Sequence, residues 1–251
     1  MRAVRAFLLM ILAAAAARAA GRVGVAAAAN LTYVLEPLDA AFARARPDVA
    51  VVPTLGSSGN LLAQIRNGAP FDLFLSADMD FPRKLIAAGG AEASSLRVFA
   101  IGKLALWTTR PEVGLESIAG AVRSARVRRL AVANPRTAPY GRAALEVLAK
   151  LGLSELAGPK LVTGENVTQA AEFVSTGNAD AGFVALSLLL APRLRGQGRW
   201  IEVPASLYSP IEQGAVLTRR GGANPAARSY LEFLSGPEAR EIFGRFGYAR
   251  P

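Results

Sequence analysis

The chain contains no cysteine and no histidine. Without histidine it cannot carry a Ser-His-Asp or Cys-His machine. Without either residue it cannot build a zinc site of the usual kind. Disulfides cannot staple the fold, and no cysteine exists to carry a lipid anchor. The core must therefore hold the protein together. With 52% hydrophobic residues, the composition supports a sizeable core and argues against disorder. Beyond the first twenty residues no apolar run reaches membrane-spanning length. Low-complexity tracts and internal repeats are also missing there.

What is present begins at the N-terminus. Arg2 and Arg5 precede an apolar stretch from Phe7 to Ala17, and Ala17-Arg18-Ala19 has a small-x-small cleavage pattern. Residues 1–20 read as a secretory signal peptide, which predicts a soluble periplasmic protein starting near Ala20 to Arg22. The net charge is +10, or +7 once Arg2, Arg5 and Arg18 are removed. The remaining arginines are scattered rather than clustered, so no nucleic-acid partner is expected. A positive field would modestly help an anion arrive.

After the signal, short apolar runs alternate with amphipathic segments. Strands are predicted at Val23 to Ala28, Val49 to Thr54 and Asp72 to Leu75. Asn30 opens a helix with Leu31, Val34, Leu35, Leu38 and Phe42 on one face. Ser58 opens a second helix, ended by Gly68, and a third runs from about Asp78 to Ala88. A long apolar strand from about Leu96 to Trp107 reads as a crossing between two domains. The alternation then restarts, with strands at Leu130 to Ala133, Lys160 to Val162, Ala181 to Ala185, Trp200 to Val203 and Ile211 to Leu217. Helices are expected at Gly141 to Leu151 and Val167 to Ser175, and two more follow Asn224-Pro225, split at Gly236-Pro237. Repeated strand-helix-strand units predict an α/β protein of two lobes, each a mostly parallel sheet flanked by helices. Residues 21–100 and 208–251 form lobe 1, and 101–207 form lobe 2.

In open parallel sheets ligands sit where strands give way to helices. Four such loops stand out: Ala29-Asn30, Gly56-Ser57-Ser58-Gly59, Pro139-Tyr140-Gly141 and Glu165-Asn166-Val167. Helix N-termini expose unpaired N–H groups and partial positive charge, so several aimed at one point make an anion site. The plainer reading of Asn30 and Ser58 is helix capping. Gly56-Ser57-Ser58-Gly59 is similar to a phosphate cradle but lacks the lysine of a P-loop. Asp72 and Asp78 invite an acid–base or divalent-cation reading; capping and loop hydrogen bonding suit them better. Trp107 and Trp200 read as core rather than as a sugar-stacking platform.

At these residues the chain resembles the periplasmic molybdate-binding proteins of ABC importers. The resemblance runs from about Val25 to Tyr248. It is carried by Ala26-Ala27-Ala28-Ala29-Asn30-Leu31-Thr32, by Gly56-Ser57-Ser58-Gly59-Asn60-Leu61, and most specifically by the stretch from Gly68 to Asp78. Asn166-Val167, the stretch Asp180 to Val184 and the segment from Phe233 to Tyr248 fit in register. It implies a two-lobed periplasmic-binding-protein fold that closes around an oxyanion by a hinge. It implies that Asn30 and Ser58, and less strongly Ala29, supply donors from the first lobe. Tyr140 and Val167 would supply them from the second, chiefly through backbone N–H. Some members have Ser or Thr where this chain has Ala29 or Asn30, and some have a tyrosine where it has Ala185. The implied ligand is molybdate or tungstate, with no cofactor, no free metal cation and no catalysis. The implied partner is a membrane ABC permease served by a monomer. Another tetrahedral oxyanion such as sulfate or thiosulfate is the alternative, and a secreted hydrolase is the alternative of another class.

Overall fold

The computed structural model describes residues 21–251, so the predicted signal peptide lies outside the described residues. Two five-stranded sheets organise the chain. The first contains β1 (Gly21–Ala28), β2 (Val49–Gly56), β3 (Leu73–Ser76) and β4 (Arg97–Gly102). The second contains β5 (Leu104–Thr108), β6 (Leu130–Ala133), β7 (Leu161–Gly164), β8 (Ala181–Ala185) and β9 (Arg199–Glu202). The chain then returns to the first sheet as β10 (Ile211–Leu217). The orders are β2-β1-β3-β10-β4 and β7-β6-β8-β5-β9.

Each sheet is mixed rather than mostly parallel. β1 pairs in parallel with β2 and β3, while β10 runs antiparallel to β3 and β4. In the second sheet β6 is parallel to β7 and β8, while β5 is antiparallel to β8 and β9. The reversed strands β5 and β10 are the first strands the chain forms after passing from one sheet to the other. A strand reached by such a passage needs no helical crossover, so nothing forces it to be parallel. The apolar run from Leu96 to Trp107 is not one strand but two, β4 and β5. They are separated at Lys103, so each half pairs in its own sheet.

Helices bury their apolar stripes against these sheets. Leu35, Leu38 and Phe42 of the helix Leu35–Ala45 lie in the first core, where Phe42 meets Tyr230 edge-on at 5.0 Å. That helix starts later than Asn30. Ala29–Leu31 is a single 3-10 turn, and Leu31 and Val34 are buried ahead of the helix proper. The second core centres on Trp107, which is fully buried and donates from Nε1 to Gln197 O at 2.7 Å. Trp200 corrects the expectation of a core residue. It lies on β9, at the edge of its sheet, and is 40% exposed. The second core also takes in Ala28, Ala29 and Ala77 from the first lobe, so apolar packing continues across the cleft.

Candidate functional site

The ends of β1, β2, β6 and β7 point into the space between the lobes, and each leads into a helical turn. Asn30, Ser58, Tyr140, Val167 and Ala29 all line one small cavity there, and all are buried. Ser57, Ala77, Ala138 and Asn166 complete much of its wall. The volume open to the centre of a water-sized sphere is about 10 Å³. That is of the order of one such sphere, so the cavity suits one small solute. No charged side chain lines it.

The second-lobe donors follow from local bonding. The helix Pro139–Lys150 begins with a proline, which has no N–H. The amides of Gly141 and Arg142 both bond to Ala138 O. Tyr140 therefore holds the free amide of that first turn. Gly141 makes this approach possible, because a Cβ there would overlap Ala133 O at the end of β6. The helix Val167–Ser175 reaches the same result by another route. Asn166 caps it, accepting from Thr168 N at 3.0 Å and Gln169 N at 3.1 Å. Ala170 N bonds to Asn166 O, so Val167 N–H is left for the cavity.

First-lobe chemistry differs from simple capping. Ser57 stands at the N-cap position of the helix Ser58–Arg66 yet makes no capping bond. Its hydroxyl is buried without a partner. Ser58 Oγ accepts from Ala77 N at 3.0 Å, which leaves its own proton available. Asn30 does not cap a helix either. Its Nδ2 donates to Gln213 Oε1 and to Tyr248 Oη, each at 2.8 Å. Its carbonyl accepts from Ser187 Oγ at 2.9 Å and from Tyr248 Oη at 3.0 Å. The Asn30 side chain is thus tied through Nδ2, while Oδ1 stays buried and unpaired. Ser57 escaped the sequence reading because the same Ser-Ser pair serves equally as an ordinary helix start.

Tyr140 divides its functions. Its hydroxyl is buried and unpaired, packed where a Cβ on Gly102 would clash. Burial, and then the neighbouring Tyr248 and Tyr208, push this phenol well above its ordinary pKa, so it stays neutral. The carboxylates raised as acid–base candidates are structural. Asp72 accepts from Gly24 N at 2.8 Å and pairs with Arg220 at 3.1 Å. Asp78 Oδ1 accepts from Ser76 Oγ and Phe81 N, each at 3.1 Å. Among the described residues no group of His, Cys, Asp or Glu could hold a metal ion.

A family model described as bacterial extracellular solute-binding protein matches residues 23–249. The chain belongs to this solute-binding family. Membership makes it a binding protein and not an enzyme. Among its relatives, Molybdate-binding protein ModA of Azotobacter vinelandii is 45% identical over 93% of this chain and 92% of its own. The protein of the same name from Rhodobacter capsulatus is 42% identical over 99% and 96%. The solved Azotobacter vinelandii periplasmic molybdate-binding protein superposes with a TM-score of 0.85 at 37% identity, over 91% of this chain and 99% of that one. This solute-binding protein thus shares its two-lobed architecture with a structure it also resembles in sequence.

Proposed function

We propose that this protein captures molybdate, and tungstate with it, in the cavity between its lobes. The lobes close over the anion by a hinge at Gly102-Lys103 and the segment before β10. The loaded protein, acting as a monomer in the periplasm, hands the anion to a membrane ABC permease. The observation that carries this reading is the convergence of unpaired donors without any charged side chain. Asn30, Tyr140 and Val167 contribute N–H groups, and Ser57 and Ser58 contribute hydroxyls. The relatives named as molybdate-binding proteins direct the choice of anion.

Such a site replaces the water shell of a dianion, which would otherwise be prohibitively costly to bury. Hydrogen bonds to a charged acceptor contribute about 1.5–3 kcal/mol each. Several together sustain tight binding after ordering and desolvation are subtracted. Donor-lined walls favour anions that carry no proton near neutral pH, such as molybdate, tungstate and sulfate, over protonated phosphate. Closure follows because the anion touches both lobes only in the closed state.

Calorimetric titration of the mature protein with molybdate, tungstate, sulfate and phosphate tests the proposal. One-to-one heat from molybdate and tungstate, with little from sulfate, is expected. Binding of sulfate alone would make it an importer component for a different tetrahedral oxyanion. Silence from all four would overturn the oxyanion reading.

A further inference from the structure

Just outside the cavity an ion pair joins the lobes. Arg142, on the helix Pro139–Lys150, reaches Asp78 Oδ2 at 2.9 Å and Asp80 Oδ2 at 3.6 Å. Asp78 follows β3 of the other lobe. Its side chain is only 7% exposed, whereas that of Arg142 is 44% exposed. Asp78 is held in advance, since its other oxygen accepts from Ser76 Oγ and Phe81 N. On one side the pair is a single residue from Ala77, which lines the cavity and binds Ser58 Oγ. On the other it is two residues from Tyr140, whose amide faces the cavity.

The placement of Arg142 is unfavourable for its own helix. A cation near a helix N-terminus opposes the macrodipole. The two carboxylates of the other lobe offset that cost when the lobes meet. Neighbouring bonds close the same seam: Gly59 N donates to Thr137 O at 2.9 Å, and Asn60 Nδ2 donates to Glu165 Oε1 at 3.0 Å. Those are neutral or exposed, while the arginine pair is charged with one buried partner, the kind whose loss is felt.

We infer that Arg142 is a positioning residue for capture, a clasp that touches no ligand atom but holds the second-lobe donors over the first lobe once the cleft has closed. The inference rests on the oxyanion-capture reading. A clasp formed after encounter sets the escape rate rather than the arrival rate. It also makes escape sensitive to salt, through the exposed arginine.

The test is stopped-flow release of molybdate from wild type, Arg142→Gln and Arg142→Lys at low and high ionic strength. Arg142→Gln should speed dissociation about tenfold with association changed less than twofold, and its circular dichroism spectrum should match wild type. Arg142→Lys should recover part of the slow release. Added salt should speed release from wild type and leave Arg142→Gln unmoved. A second readout needs no ligand. Because the chain has no cysteine, a pair introduced on the two lobes allows unambiguous spin labelling. The interlobe distance should lie longer in Arg142→Gln than in wild type at low salt. Failure of wild type to bind any oxyanion would count against the function alone, and these distances would still judge the clasp. Release rates within twofold of wild type and superimposable distance distributions would overturn it.

Discussion

In the first lobe the cavity is faced by two hydroxyls, Ser57 and Ser58, beside the backbone of Asn30, whereas in the second it is faced by backbone alone at Tyr140 and Val167. The two halves share a scaffold. Each has three parallel strands whose central member and one neighbour end at the cleft, and each adds one reversed strand and, beyond it, a strand running with the three. The difference teaches where selectivity is exposed to mutation. Hydroxyl donors vanish with one side-chain change. Amide donors survive almost any side chain and yield only to proline.

The largest expected effect removes an amide. Val167 is the first residue of its helix, a position where proline is well tolerated. Asn166 before it is already extended, at φ −144° and ψ 177°, as a pre-proline residue must be. Val167→Pro should keep the fold and lose one charge-assisted bond, about 1.5–3 kcal/mol. Molybdate affinity should fall about ten- to a hundredfold by calorimetry, while Val167→Ala stays within threefold of wild type. Equal losses in both would mean that the side chain, not the amide, matters, and the contrast between lobes would collapse.

The hydroxyl half predicts a smaller, split effect. Ser57→Ala removes a group with no partner in the protein, so about a tenfold loss of affinity should come with an unchanged melting temperature. Ser58→Ala also strands the buried Ala77 N–H, at a cost of about 1–3 kcal/mol. It should lower both affinity and thermal stability. Calorimetry beside thermal unfolding separates the two serines.

Much of this was legible in the residues because the signals were local. Leu130 to Ala133, Ala181 to Ala185 and Val167 to Ser175 are bounded as their apolar periods and caps require. The four loops could be named from strand-to-helix order alone. The orientation of β5 and β10 was not legible, because an apolar run has no direction until its partner is known. The role of Asn30 was hidden for a similar reason. Its partners Gln213 and Tyr248 are 183 and 218 residues away in sequence, and no window of local pattern links them. Nor did the sequence show that Ser57 fails to cap its helix, since capping and ligand binding use the same residue at the same place.

The first lobe also holds a carboxylic acid whose proton is bound more tightly on folding. Asp39 accepts from Tyr230 Oη at 2.5 Å. Burial raises its pKa to about 6 from 3.8, against a smaller lowering by that hydrogen bond. The folded state thus holds this proton more tightly than the unfolded state. Its contribution is full below about pH 4 and is lost as pH rises toward 6. Asp39→Asn should flatten the fall in stability over that window and leave the protein more stable than wild type at pH 7. Urea unfolding between pH 4 and 7 measures it. The same slope of stability with pH in wild type and Asp39→Asn would show that Asp39 does not carry the effect.

The smallest effect is the sharpest check on the amide half. In the proposed capture Tyr140 serves through its N–H, and its hydroxyl has no hydrogen-bond partner. A buried donor left unpaired contributes nothing and costs desolvation. Tyr140→Phe should therefore bind molybdate within about twofold of wild type and unfold at the same temperature or slightly higher. A tenfold loss of affinity would mean that the phenol itself reaches the anion. The second lobe would then also use a hydroxyl, and the division between the halves would be one of number, not of kind.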